Sequence, residues 1–303
     1  MTTIVRATGV VKRWGDTTAL AGIDAEIGAG VTGLLGANGA GKTTLLGLIL
    51  GLHRQDDGTL EVLGLDPTTA GPEVRARLGY APEHDALPGD VRAHDLVRHM
   101  AEIHGLPSKE AVGRASDALW HVGLGEERFR PVGTMSTGQK QRVKLASAMA
   151  HDPALLLLDE PTNGLDPMQR DAMLTLIRRI GTEFGISVIL SSHLLEEVER
   201  VCDSVLILSG GTVVSSGTLD ELRGGGGAFI VEPDGRVDEL AAALQRHGLE
   251  VEVLGTTRLS LNGDEIEITD AIRDACAELG IGLRRLQRRT ATLEDVFLAG
   301  TGV

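Results

Sequence analysis

A chain of 303 residues, 42% of them apolar, can bury a sizeable core and exceeds one ordinary domain, which points to two domains and excludes wholesale disorder. Its formal net charge of −14, from 29 Lys and Arg against 43 Asp and Glu, excludes a general nucleic-acid binder, because phosphate backbones need basic surface. Aromatic residues make up only 2%, so Leu, Val, Ile and Ala must build the core.

The opening stretch MTTIVRATGVVKRW has no apolar h-region, and no run of about 18 apolar residues occurs along the chain, so neither a signal peptide nor a transmembrane helix is expected. Service to a membrane would therefore run through a partner. Residues 4–11 and the VTGLL run at 31–35 are short β-branched or apolar segments and predict strands. After Gly36 the pattern turns helical: Leu45, Leu46, Leu48, Ile49 and Leu50 make 42–52 a helix apolar on most sides, and so a buried one.

Between that strand and that helix, Gly36 to Thr43 reads GANGAGKT, which fits G-x-x-x-x-G-K-[ST] in the context the motif requires. Glycines let the backbone wrap closely enough for its N–H groups to cradle phosphates, and the helix start adds a positive dipole end. Gly36, Asn38, Gly39, Ala40, Gly41, Lys42, Thr43 and Thr44 are the candidate nucleotide-binding residues. Lys42 is placed to neutralise β- and γ-phosphate charge, and the Thr43 hydroxyl to ligate Mg²⁺. A Gly-rich strand-to-helix turn can also be purely structural.

From about His84 to Ala150 strand-like runs give way to helices, 91–103, 109–122 and 138–150, an inserted helical subdomain. Strands return at 155–158, 187–190 and 204–208, alternating with helices 168–184 and 194–201, which implies a mostly parallel sheet with helices on both faces. The first of these strands runs into Asp159 and Glu160. Ligands bind at the carboxyl ends of strands in such sheets, so Asp159 is placed to hold Mg²⁺ and Glu160 to polarise an attacking water. Cys202 and Cys276 have no metal spacing and read as reduced, buried residues. Gly224–Gly227 is a linker, after which strand 228–232, helix 237–247, strands 250–255 and 258–262, helix 266–279 and strand 282–287 suggest a small ferredoxin-like domain. Arg284, Arg285, Arg288 and Arg289 read as a solvated face. Phosphate loop and acidic pair together indicate nucleotide binding and hydrolysis, but a kinase or a GTPase would carry the same two elements, so they do not separate one enzyme class from another.

That separation comes from Met135–Arg142, MSTGQKQR, which resembles the LSGGQ signature of ATP-binding-cassette (ABC) ATPases and opens a helix with Ser136 as a plausible N-cap and a free N-terminus. The resemblance spans residues 4–220. It implies an α/β fold, a P-loop ABC cassette over 1–223 with a mostly parallel sheet, an antiparallel N-terminal β part and a helical subdomain at about 84–150. The Gly linker and the small α+β domain at 228–303 would follow. It further implies ATP with Mg²⁺ as cofactors and a head-to-tail dimer, a homodimer by preference, in which Ser136, Gly138 and Gln139 close on the nucleotide of the opposite subunit. Asp166, in Gly164-Leu165-Asp166, looks like the D-loop aspartate; His193, in LSSHLLEEV, matches the switch histidine beside the γ-phosphate; Trp14 falls where the family stacks an aromatic on adenine, with burial as the competing reading. Two departures stand out: Glu83, in GYAPEH, occupies the position of a Gln that senses Mg²⁺ and water, where a carboxylate could ligate the ion but would also repel phosphate, and Thr137 occupies a Gly position where a side chain could crowd the phosphate, with function expected to be retained because Gly138 remains.

The ending TATLEDVFLAGTG looks like that of type-2 exporter ATPases, a group that includes drug, antibiotic and sodium exporters, so the cargo implied is drug- or antibiotic-like or an ion. The resemblance thus implies an ATPase subunit at the cytoplasmic face of the membrane, powering export through a separately encoded permease. An importer subunit and a soluble ABC ATPase that transports nothing remain the alternatives; long coiled coils and a second cassette, marks of non-transport members, are absent from the sequence.

Overall fold

The computed structural model describes residues 2–84, 87–224, 228–261, 263 and 265–289, and the chain divides into two compact units, Met1–Gly217 and Thr218–Val303. The first unit opens with β1 (Thr3–Trp14) and β2 (Thr17–Gly28), an antiparallel pair that turns at Gly15 with φ 57°, the left-handed conformation glycine accepts without steric cost. Then come β3 (Val31–Leu35), α1 (Lys42–Ile49) and β4 (Asp57–Val62), which pairs with β1 to give a sheet of order β2-β1-β4. The chain continues through α2 (Gly71–Arg75), β5 (Leu78–Ala81), α3 (Ala93–Ile103), α4 (Ser108–His121) and α5 (Thr137–Met149). It returns with β6 (Leu155–Leu158), α6 (Pro167–Glu183), β7 (Ser187–Ser192), α7 (Leu195–Val201), β8 (Ser204–Ser209) and β9 (Thr212–Thr218).

The second sheet of this unit has the order β5-β6-β7-β3-β8-β9, and β5 with β6, β6 with β7, β7 with β3 and β3 with β8 all pair in parallel. Strands β6 and β7 are buried along their whole length, as expected when a parallel sheet is covered on both faces. Helix α1 lies in the core between the two sheets: Leu45, Leu46, Leu48 and Ile49 cluster with Val10, Leu20, Ile23 and Leu60 from one sheet and with Leu34, Leu155, Ile189 and Leu206 from the other. Each such side chain is worth about 1.5–3 kcal/mol of burial. The core thereby fixes the phosphate-loop helix to both sheets.

Strands β2, β4, β5 and β9 carry no expectation from the sequence. Their runs are short or diluted with Gly, Ala and charge, and pairing with neighbours outweighs weak local propensity. The helix expected from Val91 begins at Ala93, because Arg92 forms a β-bridge with Pro131.

The second unit comprises α8 (Leu219–Gly224), β10 (Ala228–Pro233), α9 (Val237–Arg246), β11 (Val251–Leu254), β12 (Arg258–Leu261), α10 (Glu265–Leu279) and β13 (Leu283–Arg289). Its sheet is antiparallel with the order β11-β12-β10-β13. Phe229, Val231, Leu240, Leu244, Leu259, Leu261, Ile268 and Ile272 form its own core. Arg284 and Arg285 on β13 are exposed. Gly225–Gly227 of the linker and the whole TATLEDVFLAGTG segment lie outside the described residues. Both cysteines are free and buried, and burial pushes the Cys202 thiol up. Among the described residues no helix is long and apolar enough to cross a membrane.

Candidate functional site

The phosphate loop is forced into shape by its glycines. A Cβ on Gly36 would stand 2.5 Å from the Leu208 carbonyl oxygen, and one on Gly41, at φ 106°, would stand 2.6 Å from Leu20 Cδ2 and 2.8 Å from the Ala19 oxygen. Gly41 is the N-cap of α1 and supplies no side-chain acceptor, so the first-turn N–H groups lack the partner a capping side chain would give. A cavity of about 530 Å³ opens here, lined by Ala37, Asn38, Gly39, Gly41, Lys42, Thr43 and Thr44 together with Ala19, Glu83, Asp159, Glu160, Asn163 and His193. Unpartnered N–H groups at a helix start, backed by a lysine, make an anion site. Gly36 and Ala40 shape the loop without lining the cavity.

Parallel pairing of β6 with β7 sets Leu158 opposite Leu190, which places the next residues, Asp159 and Ser191, side by side. The fully buried Ser191 hydroxyl donates to Asp159 Oδ1 at 2.6 Å and accepts from the Glu160 N–H at 2.9 Å. Thr43 Oγ1 donates to Asp159 Oδ2 at 3.2 Å. Glu160 has φ 47°, a left-handed backbone that costs a side-chain-bearing residue about 1–3 kcal/mol and is typical of functional turns. Its Oε2 lies 2.9 Å from His193 Nδ1, and its Oε1 lies 3.2 Å from the Lys42 ammonium without accepting a hydrogen bond. Lys42 itself donates to the Gly36 oxygen at 2.6 Å. A buried carboxylate, a buried ammonium and an imidazole thus meet on one wall.

On another wall, Glu83 Oε1 accepts from Asn163 Nδ2 at 2.9 Å. Burial, followed by the Asp159 and Glu83 charges, pushes the nearby Tyr80 hydroxyl up to about 12.

Among the described residues no cluster of three or more His, Cys, Asp or Glu side chains could hold a metal ion alone. The facing Thr43 hydroxyl and Asp159 carboxylate nevertheless fit Mg²⁺, which takes one or two protein oxygens and completes its shell with water and phosphate.

The remaining candidates stand apart from this cavity. Ser136 caps α5, but the helix start is not free as the sequence suggested: Ser136 Oγ accepts from the Gln139 N–H at 3.2 Å and Gln139 Oε1 accepts from the Ser136 N–H at 3.1 Å, a capping box. A Cβ on Gly138 would meet Gln169 Oε1 at 2.9 Å, so the Gln169 side chain would have to shift to admit it. Thr137 Cγ2 would stand 3.6 Å from a Cβ on Gly164, so its methyl group is directed toward the glycine that begins the 164–166 loop. Asp166 caps α6, its Oδ1 accepting from the Gln169 N–H at 2.8 Å. Ser136, Gly138 and Gln139 line a second, smaller cavity with Leu165 and Gln169. Trp14 is 46% exposed, which disfavours burial as its role; it does not line the loop cavity, and it carries Lys12 Nζ 4.7 Å over its ring and His53 against its edge at 4.8 Å.

Sequence reasoning overlooked Ser191, Asn163 and Ala19. The polar pair Ser191-Ser192 ending a buried apolar strand is the signal that would have found the first, since buried hydroxyls need partners.

A family model described as "ABC transporter" matches residues 20–163. The chain is 33% identical to the daunorubicin resistance ATP-binding protein DrrA3 of Streptomyces coeruleorubidus, over 99% of this chain and 96% of that protein. It is 33% identical to the Nod factor export ATP-binding protein I of Sinorhizobium fredii, over 98% of this chain and 86% of that protein. Among solved structures, cbiO1 from Clostridium perfringens, part of the ABC transporter complex cbiONQ, superposes with a TM-score of 0.68 at 29% identity, covering 73% of this chain and 91% of its own.

Proposed function

The chain belongs to the ABC transporter family of ATP-binding subunits and is an ATPase, and on that premise we propose that it powers export of a drug- or antibiotic-like molecule through a separately encoded membrane permease. The resistance and export proteins it matches along nearly their whole length support the exporter reading. The observation that carries the chemistry is the convergence of Lys42, Thr43, Asp159, Glu160 and His193 on one cavity at the uncapped start of α1.

In this reading the loop N–H groups and Lys42 bind the β- and γ-phosphates and neutralise their charge. Mg²⁺, held by Thr43 and Asp159, would supply charge neutralisation across the phosphate oxygens when bound. Ser191 fixes both acidic residues, one through its carboxylate and the other through its backbone. Glu160 accepts a proton from the attacking water, and His193 orients that carboxylate through the bond to Oε2. Glu83 and Asn163 complete the wall that orders water.

The signature end of α5, with the exposed Ser136 and with Gly138, closes on the nucleotide of a second copy arranged head to tail, so that each site takes its loop from one subunit and its signature from the other. Trp14, 46% exposed, serves as the aromatic surface for the base. The subunit works at the cytoplasmic face of the membrane through its permease, and the second unit, a ferredoxin-like domain by its strand order, follows the cassette.

The test is Glu160→Gln, assayed for nucleotide binding and for hydrolysis in membranes holding the chain with its permease. Binding should persist while hydrolysis falls by about 10²-fold or more. Normal turnover in this variant would remove Glu160 as the base, and equal soluble activity with no permease dependence would overturn the exporter reading.

A further inference from the structure

Lys144 lies on α5, the helix that begins at the signature residues, yet it is only 3% exposed. A buried ammonium is costly unless hydrogen bonds compensate it, and an apolar side chain of similar length would fill the same space at no such cost. Its Nζ donates to the Pro82 oxygen at 2.9 Å and to the Glu83 oxygen at 3.0 Å. Those two carbonyls belong to the segment that leaves β5 and carries Glu83 into the cavity. Past the backbone, the Glu83 carboxylate accepts from Asn163, whose backbone N–H donates to the Glu160 backbone carbonyl oxygen at 3.0 Å. An unbroken series of bonds therefore joins α5 to Glu160 by way of the Glu83 segment.

We propose that Lys144 is a positioning residue: by clamping the Pro82 and Glu83 carbonyls onto α5 it sets where the Glu83 carboxylate stands in the cavity, and so ties hydrolysis to the placement of the signature helix. Its effect on the reaction runs through Glu83 and not through the nucleotide. The inference rests on the ATPase reading above and adds a residue to it. An ammonium is suited to this role because its three donors radiate from one atom and can serve two adjacent carbonyls at once.

The experiment is a double-mutant cycle. ATP hydrolysis by the full chain with its permease is measured for wild type, Lys144→Met, Glu83→Gln and the double variant, with kcat, KM for ATP and the Mg²⁺ concentration giving half-maximal rate determined for each. Lys144→Met should lower kcat by about tenfold and raise the Mg²⁺ requirement, with KM for ATP within about twofold of wild type. In the Glu83→Gln background the same substitution should change kcat by less than about twofold, because the group it positions is already altered. A purely structural loss would instead lower activity equally in both backgrounds, and that result, or a wild-type kcat in Lys144→Met, overturns the proposal. Should Lys144→Met fail to fold, Lys144→Gln, too short to span both carbonyls, enters the same cycle with the same expectation. A wild-type chain that hydrolyses no ATP overturns the ATPase reading and this inference with it, whereas an active wild type with an indifferent Lys144→Met overturns this inference alone.

Discussion

Replacing Ser191 with alanine removes one hydroxyl and two hydrogen bonds from a fully buried position. The bond donated to Asp159 Oδ1 ends on a carboxylate and is worth about 1.5–3 kcal/mol, while the bond accepted from the Glu160 N–H is neutral and worth about 0.5–1.5 kcal/mol. Alanine also leaves that N–H and that oxygen buried with their partner gone. We therefore expect a loss of about 3 kcal/mol, which for a unit of this size lowers Tm by roughly 6–12 °C. Catalysis should suffer separately. Glu160 holds a left-handed backbone at φ 47°, Ser191 bonds its N–H, and a displacement of about 1 Å at a reacting group costs up to about 10²-fold in rate. Thermal unfolding and steady-state ATPase assays read the two effects. Ser147→Ala is the control, because the buried Ser147 Oγ has no partner among the described residues and its removal breaks no such bond. A Ser191→Ala chain with Tm within about 1 °C and kcat within about twofold of wild type would refute the reasoning, since neither bond would then be contributing.

Gly41→Ala should weaken nucleotide binding by at least about tenfold in a fluorescent-nucleotide titration, because φ 106° is unfavourable for alanine and its Cβ would meet Leu20 and the Ala19 carbonyl; Gly39→Ala, strained by φ 82° but with open space around it, should cost less, and equal losses would contradict the steric account. A pH prediction concerns His151, stacked on His104 with ring centroids 3.6 Å apart and bonded through Nε2 to the Leu78 oxygen at 3.0 Å. Burial first, then the neighbouring His104, pulls the His151 imidazole down to about 4. The folded state therefore resists a proton that the unfolded state takes up near the ordinary value of about 6.5, so stability is intact above that value and is lost as pH falls toward about 4. Discounted for the partial exposure of the ring, the loss from about pH 7 to about pH 5 should be on the order of 1 kcal/mol in urea denaturation, and His151→Asn should flatten it. An equally steep decline in that variant would assign the effect to other groups.

The chemistry of the phosphate loop, the acidic pair and the signature helix is legible in single runs of sequence, because each depends on backbone spacing within a few residues. GANGAGKT needs only its glycines and one lysine to make a cradle, and four leucines followed by Asp159 and Glu160 already describe a buried strand delivering two acids to its carboxyl end. Ser136 is legible as the cap of α5 from its own run, whereas the reciprocal bond from Gln139, which closes the helix start that the sequence suggested was free, is a finding of the structure. Trp14 shows where local reading weakens: its neighbours in sequence resemble an adenine-stacking segment, while its exposure and its contacts with Lys12 and His53 follow from how β1 ends.

What the sequence by itself determined is thus the set of candidate groups, since their identity and local spacing mark them as suited to binding and cleaving a phosphate anhydride. What only the tertiary structure decided is who holds those groups in place. Ser191 stands beside Asp159 because β6 and β7, 32 positions apart at this contact, pair in the register that buries their apolar residues. Lys144, polar by every sequence scale, is buried because α5 packs over the strand that leads to Glu83. Such pairings are set by the burial of distant strands and helices against a common core, a collective quantity that no local run of residues contains.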